Sequence, residues 1–129
     1  MHVIAEDYEL MQLIFDKVWE RSKHQVKAMD GESGMCCYRC HQGEVLPWLP
    51  CFIGAIIKDE FYSRSLEGKD VNTFDVRQAI GSSLKASISG STVGFLNRLQ
   101  EVHDFHPPEL WDEKLLVVAK DYGLAFPPA

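Results

Sequence analysis

The residues richest in possible chemistry are crowded into positions 35–51, MCCYRCHQGEVLPWLPC, which hold all four cysteines of the chain. Positions 37–41 read C-x-x-C-H, the arrangement that tethers a c-type haem through two thioethers and an axial imidazole. Haem loading requires export, and the opening MHVIAEDYEL carries acids where a secretion signal is basic, so no haem is expected. Zinc is the stronger alternative, because Cys37, Cys40, His41 and Cys51 supply three thiolates and one imidazole for a tetrahedral ion. Two features count against it. Cys40 and His41 are neighbours, and on an extended strand their side chains leave on opposite faces; beyond the first pair there is one cysteine and no second knuckle. A nucleophilic thiolate would need Arg39 or His41 to stabilise it. The reading adopted is that the sulfurs pack, with Cys37 and Cys51 facing each other across a hairpin and no cofactor required.

A second cluster lies near the C-terminus, where His103 and Asp104 follow Gln100 by about one helical turn and precede His106. A histidine oriented by a carboxylate is a possible general acid or base, and a small hydrolase or transferase using His103 and Asp104 is one functional alternative. His103 also continues the apolar stripe of Leu96 and Leu99, which favours a core-edge histidine bonded to a backbone carbonyl. On a hairpin strand Tyr38 and Arg39 should leave on opposite faces, one packing on helices and the other reaching solvent or a ligand. Arg39 would then pair with Glu67 or Asp104, or grip an anion. Trp48, between Leu46 and Leu49 in a proline-bracketed loop, is a candidate partner patch. Neither GSSLKASISGS nor Glu67-Gly68-Lys69 has the spacing of a phosphate-binding loop, and there is no Gly-x-Ser-x-Gly or His-Glu-x-x-His.

Charge and length narrow the classes further. At 129 residues a single domain covering the whole chain is expected. A net charge of −6 disfavours nucleic acid as the main partner, since neutralising phosphates requires a surplus of Lys and Arg. The longest apolar candidate, positions 46–57, is too short for a membrane span and carries two prolines, so a cytoplasmic, membrane-free protein is expected.

The elements that must position these groups begin with an amphipathic helix over 8–29, where Tyr8, Met11, Phe15, Val18, Trp19 and Val26 recur at helical spacing before DGESG ends it. Positions 35–39 and 52–57 then suit a pleated surface and predict a β-hairpin with a long loop, with a short helix over 49–57 as the competing assignment. A helical turn and loop follow, then helices over 73–84, capped by Thr73, and over 92–103. HPPELWDEKLLVVAKDYGL predicts a last helix with Pro108 in its first turn, acids at its positive end, Gly123 as its left-handed stop, and a buried face of Leu110 or Trp111, Leu115, Val118, Ala119 and Tyr122. Phe126 should fold the tail back. The expected class is therefore α+β, mostly α, with a long N-terminal helix and two C-terminal helices packed around a β-hairpin.

The order of several short motifs resembles a set of small, functionally uncharacterised bacteriophage and prophage proteins. It runs Cys36 or Cys37 with Tyr38 and Arg39; Cys51, Ile53, Gly54, Ile56 and Ile57; Asp59, Glu60 and Tyr62; Glu67 and Gly68; Leu99, Gln100, His103 and Asp104. The likeness covers about two thirds of the chain. It departs at Phe52, where alanine is usual, and in the longer turn HQGEVLPWLP, and it leaves out Cys40 and His41. The resemblance implies a viral origin and a host bacterial cytoplasm, and it singles out Tyr38, Arg39, Tyr62, Glu67, Gln100, His103 and Asp104. The function expected on this basis is non-enzymatic binding of a host protein or small ligand, in its concrete form inhibition of an anti-phage defence, with a small zinc-binding domain as the first rival.

Overall fold

The computed structural model describes residues 5–25, 37–40 and 49–126. Four α-helices dominate it: α1 (Ala5–Ser22), α2 (Phe74–Leu84), α3 (Gly90–Phe105) and α4 (Trp111–Tyr122). Helices α1, α3 and α4 pack on one another, and α2 lies against a 3-10 turn at Asp59–Phe61. The core joins Met11, Ile14, Phe15 and Val18 of α1 to Phe95, Leu96 and Leu99 of α3 and to Trp111, Leu115 and Val118 of α4. Among the described residues no helix is long and apolar enough to cross a membrane.

This architecture is all-α, which corrects the expected α+β class. Among the described residues, extended pairing comprises two residues on each side, Arg39 opposite Pro50 and Cys40 opposite Leu49. Positions 52–57, read as a strand, instead coil through helical-type turns in which the amide of Ala55 donates to the Cys51 carbonyl and those of Ile56 and Ile57 donate to Ile53 and Gly54. Phe52, Ile53, Ile56 and Ile57 are all buried, so this short segment is enclosed from several sides and offers no alternation to separate strand from turn. The competing assignment of a short helix over 49–57 lies closer in local geometry, although no full α-helix forms.

Helix ends follow local rules at the start of α3 and the end of α4; elsewhere they depart from them, α2 ending on a left-handed Lys85 at φ 55° and the expected first turn of α4 at Pro108 forming a separate 3-10 turn over Pro108–Leu110. Ser89 caps α3 by accepting the Thr92 amide at 3.2 Å, and Gly123 closes α4 in the left-handed region at φ 67°, with the Leu124 amide reaching back to the Ala119 carbonyl. Thr73 precedes α2 as expected, but its hydroxyl donates to the Asp70 carbonyl and makes no cap. Helix α1 stops at Ser22, earlier than the periodicity suggests. The Ser22 hydroxyl donates to the Trp19 carbonyl, and Gln25 turns left-handed at φ 53°. Positions 26–29 of the expected helix and 35–36 of the expected strand lie outside the described residues. On α4 the buried residues are Trp111, Leu115, Val118, Ala119 and Tyr122, with Leu110 partly exposed. Phe126 folds back onto Phe15 and Trp19, with edge-to-face ring centroids at 5.9 and 4.8 Å.

Candidate functional site

Glu67 is the hub of the polar residues singled out in the sequence. It follows a 3-10 turn at Arg64–Leu66 whose Leu66 is buried, and this anchors the carboxylate beside the segment at 37–40. One carboxylate oxygen accepts the Tyr38 amide at 2.9 Å; the other accepts the Arg39 amide at 3.0 Å and the Tyr62 hydroxyl at 2.6 Å. A side chain thus satisfies two backbone amides of the 37–40 segment. The Tyr38 hydroxyl donates to the Lys69 carbonyl at 2.5 Å, so the segment is held to the 67–69 loop at both ends.

Tyr38 and Arg39 are both buried, which corrects the expectation that one would reach solvent or a ligand. Arg39 pairs with neither Glu67 nor Asp104 through its guanidinium. Its Nη2 donates to the Ile57 carbonyl at 2.8 Å and meets Asp59 at 2.9 Å, while the guanidinium carbon stands 4.5 Å from the Tyr62 ring centroid. Both side chains are covered by protein, Tyr38 reaching the Lys69 carbonyl and Arg39 reaching Ile57, Asp59 and the Tyr62 ring.

Helix α3 contributes the second half of the array. Gln100 accepts the Ile53 amide at 3.2 Å and donates to Asp104 at 2.8 Å; the same Asp104 oxygen shares a 2.8 Å hydrogen bond with His103 Nδ1. His103 is completely buried, stacked on Trp111 at 5.4 Å and edge-on to Phe52 at 5.2 Å. It is thus a core histidine, but its Nδ1 faces a neighbouring carboxylate where a backbone carbonyl was expected. Across from it, the Cys51 sulfur accepts the Gly54 amide at 3.2 Å.

Burial pushes the Cys51 thiol up to about 12, and the charge of Asp104 acts in the same direction. Burial likewise raises Tyr38, and raises Tyr62 to about 12 with help from its bond to Glu67. In the unfolded chain the thiol ionises near 9. The folded state therefore holds this proton more tightly, so its contribution to stability is complete below pH 9 and is lost as pH rises towards 12. Denaturant midpoints should fall across that window, and Cys51→Ala should flatten the fall. Iodoacetamide near neutral pH, mapped by mass spectrometry, should leave Cys51 unlabelled until the protein is unfolded.

Beside this array runs a groove of about 550 Å³ between the 67–71 loop and α3, lined among others by Tyr38, Cys51, Glu67, Gln100 and Asp104. The structure brings these sequence-selected residues to one place, with Tyr62 and Arg39 just behind Glu67. Trp48 and His41 lie outside the described residues. Groove residues that sequence reasoning missed include Asp70, Glu101 and Phe105, and it also missed a buried Arg21 whose Nε donates to the Pro50 carbonyl at 2.6 Å. Arg21 was readable as the next position on the stripe Met11, Ile14, Val18; Phe105 was readable as the aromatic that falls off the α3 stripe.

Among the described residues, no group of three or more His, Cys, Asp and Glu side chains is gathered where a metal ion would sit. Of the proposed zinc set, Cys37 is disulfide-bonded in this structure. This also corrects the picture of Cys37 and Cys51 as two facing thiols. Cys51 is a buried free cysteine, while His41 and the side chain of Cys40 lie outside the described residues. No protein-family model, curated protein or solved structure matches the chain.

Proposed function

We propose that the chain is a non-enzymatic binding protein of the small phage type, and that it engages a host protein through the groove beside Glu67. Inhibition of an anti-phage defence is the concrete form of this activity. One observation carries the reading: among the described residues at or beside the groove, Glu67, Tyr38, Cys51 and His103, which are suited to acid–base or nucleophilic work, are engaged inside the protein, whereas the lip of the groove is open. Glu67 accepts three hydrogen bonds, the Tyr38 hydroxyl is bound to a carbonyl, the Cys51 thiol is buried and protonated, and His103 is sealed beneath Trp111. At the lip Phe105 is 75% exposed, a large apolar surface of the kind that dominates protein interfaces once covered.

Affinity capture from infected host lysate tests this, with each captured protein purified and its binding to the chain reassembled from pure components. A partner should bind the wild type and lose affinity at least about tenfold for Phe105→Asp. The opposing result is turnover of an ester or phosphodiester by the pure chain that disappears in Asp104→Asn while the thermal transition stays in place. That result would identify an enzyme.

A further inference from the structure

We infer that the groove is built to receive an arginine-bearing segment of the partner protein, an inference that rests on the binding reading above. The walls carry carboxylates from two separate elements, Glu67 and Asp70 from the loop and Glu101 and Asp104 from α3. Among the described lining residues Lys69 is the one cation. Its ammonium does not offset them, because Nζ pairs at 2.7 Å with Asp75, which lies outside the groove. The described lining is therefore more acidic than the chain's net charge of −6 alone implies.

The cleft is more than a group of acids. It is a concave space of about 550 Å³, of the size that accepts side chains or small ligands, and its lining includes, besides the carboxylates, Phe105, which is 75% exposed. An acid beside an accessible aromatic face is the pairing that a guanidinium satisfies best: it is always charged, forks to a carboxylate, and stacks on a ring. The molecule already makes this contact internally, with Arg39 between Asp59 and the face of Tyr62. The groove lining offers the same two kinds of group to a foreign arginine, the exposed carboxylates of Asp70 and Glu101 and the exposed ring of Phe105.

The test uses the full chain and fluorescent peptides of sequence Gly-Ser-Gly-Arg-Gly-Arg-Gly-Ser, with citrulline and glutamate versions as isosteric and reversed-charge controls. The arginine peptide should bind at least about tenfold more tightly than the citrulline peptide and weaken about tenfold as NaCl rises from about 50 to about 300 mM. Phe105→Ala, and Asp70→Asn combined with Glu101→Gln, should each weaken it by about tenfold, with thermal transitions unchanged since these side chains are exposed. Citrulline binding equal to arginine, still lost in Phe105→Ala, overturns the arginine inference while leaving the binding reading standing. Spermidine binding more tightly than the peptide reassigns the groove to polyamines, and binding indifferent to all three substitutions places it elsewhere; both overturn the inference, as does no binding of the arginine peptide.

Discussion

Gly54→Ala is expected to prevent the chain from reaching its native state. A β-carbon at position 54 would stand 1.9 Å from the Tyr38 carbonyl oxygen and 2.7 Å from its carbon, both backbone atoms that cannot swing aside. The contact arises because the Cys51 amide donates to that same carbonyl, so the turns at 51–57 press directly on the segment carrying Tyr38. Relief would require parting the two segments, breaking the amide bonds to Glu67 and opening the core at Phe52 and Ile53. A loss of about 4 kcal/mol or more is expected, at the extreme of single substitutions. Urea unfolding followed by tryptophan fluorescence would measure it if soluble protein is obtained. By contrast Gly90→Ala and Gly94→Ala, whose added carbons meet nothing within 4 Å, should be nearly neutral by the same assay.

Glu67→Ala should produce the second largest loss, about 2–3 kcal/mol, because three donors lose one charged acceptor at once. Both amides belong to a segment whose described extended pairing comprises only Arg39 with Pro50 and Cys40 with Leu49, so the carboxylate is a large share of what holds it. Glu67 is half-buried, so water can reach part of the vacated space and limit the cost. Glu67→Gln should lose roughly half as much: its amide oxygen can still accept from one backbone N–H, but its amino group confronts another donor. Equilibrium unfolding of the two variants side by side would separate this ordering from a simple charge effect, under which both would lose the same amount.

The helices were legible because their apolar residues recur at spacings that a single face explains. For α4 the buried residues and the stop follow from Trp111, Leu115 and Gly123, whereas α3 runs over Gly90–Phe105, beyond the expected 92–103, and buries Thr92 and Phe95 besides Leu96 and Leu99. The segment between α1 and α2 was misread for a physical reason. Phe52, Ile53, Ile56 and Ile57 are buried from several directions by helices distant in sequence, and enclosed residues need not alternate. What holds this segment is likewise non-local: Glu67 is 29 positions from Tyr38, and Gln100 is 47 from Ile53. No local rule links a glutamate in SLEGKDV to two amides in CCYRC.

The candidate site was partly legible for the same reason in reverse. Tyr38, Glu67, Gln100 and Asp104 were selected from the order of motifs, and they converge on one groove. What could not be read was their division of labour, in which Glu67 and Gln100 hold backbone and His103 fills core. Asp70, Glu101 and Phe105 looked like ordinary surface until the groove gave them a common direction.

The central claim is that a side-chain carboxylate, in place of a β-sheet, fastens the Tyr38–Arg39 segment to the helical layer and thereby shapes the groove. Native-state amide hydrogen exchange tests it most directly. In the wild type the amides of Tyr38 and Arg39 should be protected nearly as well as those of Leu96 and Leu99, and Glu67→Ala should lower that protection by at least about a hundredfold while leaving α3 comparatively protected. Amides at 38 and 39 that already exchange in the wild type as freely as those of an exposed loop would contradict the account.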